Sequence, residues 1–504
     1  MVSRIACVGG GPGGLFFAAL IKQADPSVEV TVFERNRAED TFGFGVVFSD
    51  ATLAAIHDAD PVLRTALAEH GRHWDDIEVR LKGQRVRVGG NGMAAITRKT
   101  LLQLLHRRAE EVGVDLRFSH EAPADPGQLA DYDLIVAADG ANSRFRDRLA
   151  DVLVPEVEVA TAKFIWFGTD YLFDGLTFVH EHGPHGTFAV HGYPISDSVS
   201  TFIVETDEES WRRAGLDEFD TAQPPGASDE KTKAYLEKLF AEQIDGHELL
   251  VNNSRWGNFR TRRAHRWHSG NVVLLGDAAH TAHFSVGSGT KMAMEDAVAL
   301  ADRLLVHRDD LPSALEAYEA ARRPSVEKIQ NSARPSLSWW EHFGRYHDAF
   351  GPTQFAFHFI SRSIGKERIA RRDPDFVEQV VRDWQSAHEG HAPLDTPIRL
   401  REREFTGRRL SGADLTALRG EGCLWVTAPE SEDQLPQIYD RLGEAAVELV
   451  AVQGGTPLTR SLLAEQARLV HGVPALVVEP GMDDDRAETL LLSGRADLVA
   501  GERA

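Results

Sequence analysis

The run Ile5-Ala6-Cys7-Val8-Gly9-Gly10-Gly11-Pro12-Gly13-Gly14-Leu15 decides the fold. Its first four residues read as a short buried strand, its glycines as a tight turn, and Leu15 to Ile21 as an apolar helix. A second strand, Val28 to Phe33, ends on Glu34. Strand, G-x-G-x-x-G, helix, strand and acid in this spacing are what a dinucleotide site requires. Gly9 lets the chain turn tightly, Gly11 lets the backbone approach a pyrophosphate, and Gly14 lets helix and strand lie close. The start of the helix offers N–H groups and a partial positive charge to phosphates. Glu34 would accept hydrogen bonds from ribose hydroxyls and repel a 2′-phosphate. The stretch predicts a site for a ligand carrying adenosine diphosphate.

The chain has 504 residues, 42% of them hydrophobic and 26% charged, which leaves room for two or three globular domains. A net charge of −22 opposes general binding to nucleic acid or a membrane surface, though not one anionic ligand in a local basic pocket. Two cysteines, Cys7 and Cys423, make neither a disulfide framework nor a zinc site, and no metal is expected. No leader pattern precedes the first strand and no apolar run reaches membrane-spanning length, so the expectation is a soluble, cytoplasmic protein.

Working outward, residues 41–53 form an aromatic loop containing Phe48. Gly43 and Gly45 there fit either close approach to a flat ligand or an ordinary turn. Residues 54–75 look helical and 77–97 alternate as strands. Thr97 is a candidate N-cap, followed by Arg98. A cation at a helix start is explained by a cofactor contact or by simple solvation. A second motif, Asp139-Gly140 with Ser143 and Arg146, ends a buried strand. From about 151 to 260, short alternating runs predict an antiparallel sheet. A third motif, Gly276-Asp277-Ala278-Ala279-His280, follows the strand Asn271 to Leu275 and precedes a Gly-rich turn and the helix from Lys291. Asp277 is an acceptor suited to sugar-like hydroxyls.

Together the three motifs resemble the group A flavoprotein aromatic hydroxylases of the p-hydroxybenzoate hydroxylase fold, over roughly residues 1–375. The resemblance implies an α/β fold: an FAD-binding Rossmann-like domain in three parts (1–75, 97–150, 266–330), with an inserted antiparallel β-sheet substrate domain (76–96 and 151–265). A helical segment (331–375) and a linker (376–410) follow. It implies FAD contacts at Gly9, Gly11, Pro12, Gly13, Gly14, Glu34, Arg35, Arg98, Asp139, Gly140, Asp277, Gly287 and Gly289. NAD(P)H, with NADH favoured, would bind transiently against the same domain, and a flavin C4a-hydroperoxide would deliver oxygen to the ring.

The segment after the histidine, His283-Phe284-Ser285-Val286-Gly287-Ser288-Gly289-Thr290-Lys291, departs from the family's usual prolines and G-x-G-x-N. With Gly43 to Ser49 and Ser338 to Phe343, it is similar to the subgroup acting on salicylyl-CoA and anthraniloyl-CoA. That implies an aryl-CoA substrate, O2 and hydroxylation para to the ring hydroxyl or amine. A free phenolic acid or polyketide-type aromatic is the alternative substrate; a non-catalytic flavin-fold binding protein is the alternative class. His283 or His280 would take the phenol proton, or would hydrogen-bond the turn. Three basic clusters could meet CoA phosphates: Arg260 to Arg266; Arg322, Arg323, Arg334 and Arg345; and Arg362 to Arg372. Arg334 and Arg345 bracket Trp339-Trp340, where adenine could stack. Together with Phe48, these make the expected substrate-binding set.

Residues 411–504 alternate strand and helix, and Ser493 to Val499 resembles the last turn of old-yellow-enzyme barrels. A complete (β/α)8 barrel needs at least ~200 residues, so a small α/β domain resembling a truncated barrel is expected, kept for packing or for a homodimer.

Overall fold

The computed structural model describes residues 2–41, 43–219, 227–284, 289–400, 403–419, 422–444 and 447–502. The chain forms two compact units, residues 1–76 with 91–341, and residues 77–90 with 342–504.

In the first unit a mainly parallel sheet runs in the order His268–Ser269, Val272–Leu274, Leu134–Ala137, Arg4–Val8, Glu29–Phe33, Asp115–Arg117. Cys7 lies opposite both Val32 and Val136, so it is a core residue. The central strands are apolar throughout because both faces are covered, as parallel sheets require. The helix Pro12–Ala24 covers the central sheet and packs on Gly289–Val306. Three central strands end at the three motifs: Val8 before Gly9, Ala137 before Asp139, and Leu274 before Gly276. Ligands of such sheets bind at the carboxyl ends of the strands, so the motifs line one crevice.

A second, antiparallel sheet runs Leu249–Leu250, Pro155–Thr169, Ser200–Thr206, Gly186–Pro194, Leu176–Gly183, with Gly257–Ala264 also paired to Pro155–Thr169. Its far face buries Ile165, Phe167, Phe188, Val190, Phe202 and Val204. The alternate residues face the other way, toward the crevice. Part of the expected loop 41–53 is a strand: Gly45–Ser49 pairs with Met93–Thr97, which pairs with Arg72–Trp74. No helix among the described residues is long and apolar enough to cross a membrane.

The second unit takes up the hairpin Ile77–Leu81 and Gln84–Val88, which lies within the span read as substrate domain. Lys82 and Gly83 both have positive φ, as a two-residue hairpin turn requires. Gly89 N–H donates to Asp373 at 2.7 Å, and Lys82 Nζ to the Phe350 carbonyl at 3.0 Å. The expected linker 376–410 is folded. Its charges occupy the outer face of the helix Pro374–Ala387, which buries Phe376, Val377 and Val380, and Ile398–Leu400 pairs with Arg403–Phe405. Four parallel strands, Cys423–Thr427, Leu449–Gln453, Ala475–Pro480 and Leu498–Glu502, lie side by side in chain order. Each face of this sheet carries its own apolar cluster.

Candidate active site

The first turn is set by steric exclusion. Gly9 has φ +109, and a Cβ there would stand 2.2 Å from the Ala138 carbonyl oxygen. A Cβ on Gly14 would stand 2.3 Å from the Gly9 oxygen, whereas Gly11 has open space beside it. The helix starting at Pro12 has no side-chain cap, so its first N–H groups point at that space. Glu34 is held by both oxygens: Gly10 N–H donates to Oε2 at 2.8 Å, and Asn36 N–H and Nδ2 donate to Oε1 at 2.8 and 2.7 Å. Glu34, Arg35, Asp139 and Gly140 line a cleft of about 280 Å³.

Arg146 ties the second motif to the third. Its guanidinium donates to the Ala278 carbonyl at 3.2 Å and to the Ala141 carbonyl at 3.0 Å. Ser143 caps the short helix that carries it. Asp139 accepts the Arg144 N–H at 2.8 Å, and burial pushes its carboxyl up.

The cleft continues past Gly11, Pro12 and Gly140 into a cavity of about 700 Å³. Phe164, Trp166, Phe178, His191, Tyr193 and Ile203 form its sheet wall, Arg98 lines both it and the cleft, and Asp277, Arg260, Arg262 and Lys291 also border it. Burial pushes the Asp277 carboxyl up, although His280, Arg98 and Arg262 pull it down. Burial likewise lowers Arg98 against the pull of Asp277. The cation at the helix start and the Asp277 carboxylate thus both line the cavity and attract each other. Uncapped N–H groups, open space at Gly11 and Gly140, a fixed acid at one end and a roomy chamber at the other fit an extended dinucleotide such as FAD. Gly289 borders the chamber; Gly287 lies outside the described residues.

Several expected site residues stand elsewhere. His280 is 1% exposed and gives Nε2 to Asp296 at 2.8 Å, with its ring against Trp267, so it braces the turn. His283 is buried, Nε2 3.2 Å from Glu205 Oε1, with its ring against Phe259 and Phe284, which line the cavity, but it does not line the cavity itself. Phe48 lies in the core with Leu53 and Ile56, whereas Gly45, Val46, Val47 and Ser49 of the same strand line the cavity. Trp339 and Trp340 are 3% and 0% exposed, so neither offers a free face for adenine; Trp340 packs on the crevice face of the sheet, stacked on His180 and beside the lining residues Phe178 and His191. Arg334 pairs with Glu158 at 3.2 Å. Arg345 belongs to the second unit, where it pairs with buried Glu465 at 3.3 Å. Of the basic clusters, Arg260 and Arg262 reach the cavity.

Residues that the sequence reading passed over are His191, Glu205 and Tyr193. Their signal was alternation: 164, 166, 191, 193, 203 and 205 all fall on one face of paired strands.

An FAD binding domain model matches residues 3–333. The chain is 61% identical to a salicyloyl-CoA 5-hydroxylase of a Streptomyces species, over 99% of this chain and 100% of that protein. It is 40% identical to 3-hydroxy-4-methyl-anthranilyl-(aryl-carrier protein) 5-monooxygenase of Streptosporangium sibiricum, over 67% and 89% of the two chains. In fold it matches p-nitrophenol 4-monooxygenase of Pseudomonas putida, with a TM-score of 0.56 at 17% identity over 76% and 98% of the two chains. A nucleotide trench built from three motifs, a family match over more than half the chain and an end-to-end relative place the chain in the FAD binding domain family, as an FAD-dependent aromatic monooxygenase.

Proposed function

We propose that the enzyme hydroxylates the aromatic ring of an aryl-CoA thioester, at the carbon para to a ring hydroxyl or amino group, using O2 and a nicotinamide reductant taken to be NADH. The observation that carries the reading is the union of an aromatic chamber with cations at its border. Arg260 is exposed and has no ion-pair partner among the described residues, and Arg262 stands two residues along the same strand. A free aromatic acid needs one cation; a CoA tail brings several phosphates, for which bordering guanidinium groups are suited. The relative named for salicyloyl-CoA supports the same choice.

Gly11 to Gly14 would hold the FAD pyrophosphate, Glu34 the adenosine ribose, and Asp139, Gly140, Arg98 and Asp277 the remainder. When bound, FAD accepts electrons from the nicotinamide and passes one oxygen atom of O2 to the ring. Phe164, Trp166, Phe178 and Tyr193 would orient that ring and exclude water from it. The second unit serves packing or self-association as a shortened barrel, with no second flavin.

The test follows NADH oxidation by FAD-loaded protein with salicylyl-CoA, anthraniloyl-CoA and the two free acids, with products identified by mass. One oxygen gained on a thioester alone supports the reading. Turnover of the acids with the thioesters inert removes the CoA tail from it, and equimolar bound FMN would overturn the account of the second unit.

A further inference from the structure

The chamber wall contains a buried carboxylate shared by two histidines. Glu205, on Ser200–Thr206, lies 2.6 Å by Oε2 from His191 Nε2 and 3.2 Å by Oε1 from His283 Nε2. The three are 1%, 3% and 1% exposed, respectively. Pairing explains how they meet. Glu205 is opposite Ala189, two residues before His191 on the same face of Gly186–Pro194, so the pair is diagonal across neighbouring strands. His283 arrives from the segment after the third motif, its ring edge-on to Phe259. His191 borders the cavity; Glu205 and His283 do not, although His283 packs on the lining residues Phe259 and Phe284.

An ionised carboxylate with two imidazoles in so apolar a wall is a costly arrangement, and a hydrocarbon wall would enclose an aromatic ring equally well. What it offers is a place to hold a proton. We propose that His191 accepts the proton of the substrate's ring hydroxyl, with Glu205 and His283 as positioning residues that orient its imidazole and stabilise the imidazolium. The phenolic O–H bond breaks, its electron pair stays on oxygen and activates the para carbon, and the proton moves to His191 Nδ1. Glu205, whose Oε2 stands 2.6 Å from Nε2, neutralises the cation. Once oxygen is transferred, the attacked carbon releases its own proton to solvent, aromaticity returns, and Nδ1 gives its proton back to the ring oxygen. The oxidant is O2 and the reductant the nicotinamide of the monooxygenase reaction, on which reading this inference rests. The other titratable groups on the described elements packed around His191 include Tyr193 on its own strand, His180, Glu181 and His182 on the paired strand Leu176–Gly183, and Glu341 beside Trp340 on the helix Leu311–Ala349.

The test compares FAD-loaded wild type with His191→Asn, Glu205→Gln and His283→Asn, measuring thioester KM, NADH oxidation, product, peroxide and melting temperature across pH. For His191→Asn, KM stays within about threefold and substrate still stimulates NADH oxidation. Product per NADH falls about 10²-fold or more at neutral pH, peroxide replaces it, and hydroxylation recovers as pH rises toward the phenol's own ionisation. Glu205→Gln and His283→Asn shift the acidic limb of the pH profile with smaller losses. Wild-type coupling and an unchanged pH limb in a folded His191→Asn overturn the proposal. So does a loss of stability, KM and kcat together with no change in that limb. Should His191→Asn lose FAD, Glu205→Gln carries the same readouts with the same consequences. A wild type that oxygenates neither thioester refutes the proposed function and the relay together, whereas one that oxygenates anthraniloyl-CoA alone, or an active wild type with unaffected variants, refutes the relay alone.

Discussion

Replacing Asp296 by Asn tests whether the turn that presents Asp277 is held from below. Asp296 is fully buried and accepts three donors: Gly276 N–H at 3.1 Å and His280 Nε2 at 2.8 Å on Oδ2, and Arg322 Nε at 2.8 Å on Oδ1. An amide of the same shape cannot serve all three. One orientation sets its NH2 against Arg322, the other against Gly276 and His280, and either leaves donors facing each other. The buried guanidinium also loses one of its two carboxylates and keeps only Glu295, at 2.9 Å. Breaking a buried pair in this way costs about 3–5 kcal/mol. With an unfolding entropy of about 2.1 cal/mol/K per residue, a unit of roughly 300 residues loses about 1.6 °C per kcal/mol, so melting falls by about 5–8 °C. Burial raises the Asp296 carboxyl, but His280 and Arg322 outweigh it and hold it below the usual range. Its contribution is therefore present above the unfolded value and lost as pH falls through the folded one, so the deficit of Asp296→Asn shrinks below about pH 4. Calorimetry and flavin absorbance of the purified variant are the assay. A melting temperature within about 1 °C of wild type with full FAD content would refute the reasoning.

Three further outcomes are expected. Gly14→Ala puts a methyl 2.3 Å from the Gly9 oxygen and 3.1 Å from Cys7 Sγ, so the helix must leave the strand and bound FAD is lost on dialysis. Arg260→Ala raises the KM for the thioester several-fold, on the order of 1 kcal/mol, with kcat and free-acid kinetics unchanged, and added salt mimics it. Burial raises the Glu205 carboxyl, but His283 and His191 hold it down to about 2 against the usual 4.5. That difference corresponds to roughly 3 kcal/mol of stability, present above about pH 4.5 and lost as pH falls toward 2. Thermal melts of wild type and Glu205→Gln should therefore converge in that window.

The nucleotide trench was legible because its constraints fall within the motifs themselves. Gly14 and Asp139 meet Gly9 and Arg144 a few residues away, and Gly9 and Glu34 meet Ala138 and Gly10 at the ends of neighbouring strands that the same motifs mark. The chamber wall was not, because it depends on register. Nothing near His191 announces Glu205, fourteen positions on, until Ala189 is known to face Glu205 across two strands. Trp339-Trp340 misled for a related reason: an aromatic pair beside arginines looks the same whether it meets a ligand or fills a core. The helix Pro374–Ala387 was hidden by its charges, although Phe376, Val377 and Val380 already trace a helical stripe. Three of the four strands of the parallel sheet were readable from the alternation of strands and helices, but not the fourth, Leu498–Glu502, nor the pairing in chain order.

The hairpin at 77–90 gives the second unit an unusual schedule during synthesis. Gly89 waits for Asp373, 284 residues later in the chain. At about 5–20 residues/s a ribosome needs roughly 15–60 s to cover that distance. For that interval the hairpin has been made while the helices it joins have not, so a break anywhere between 91 and 341 leaves a C-terminal fragment lacking two of its strands. Expressing the C-terminal unit alone therefore requires grafting 77–90 back onto it.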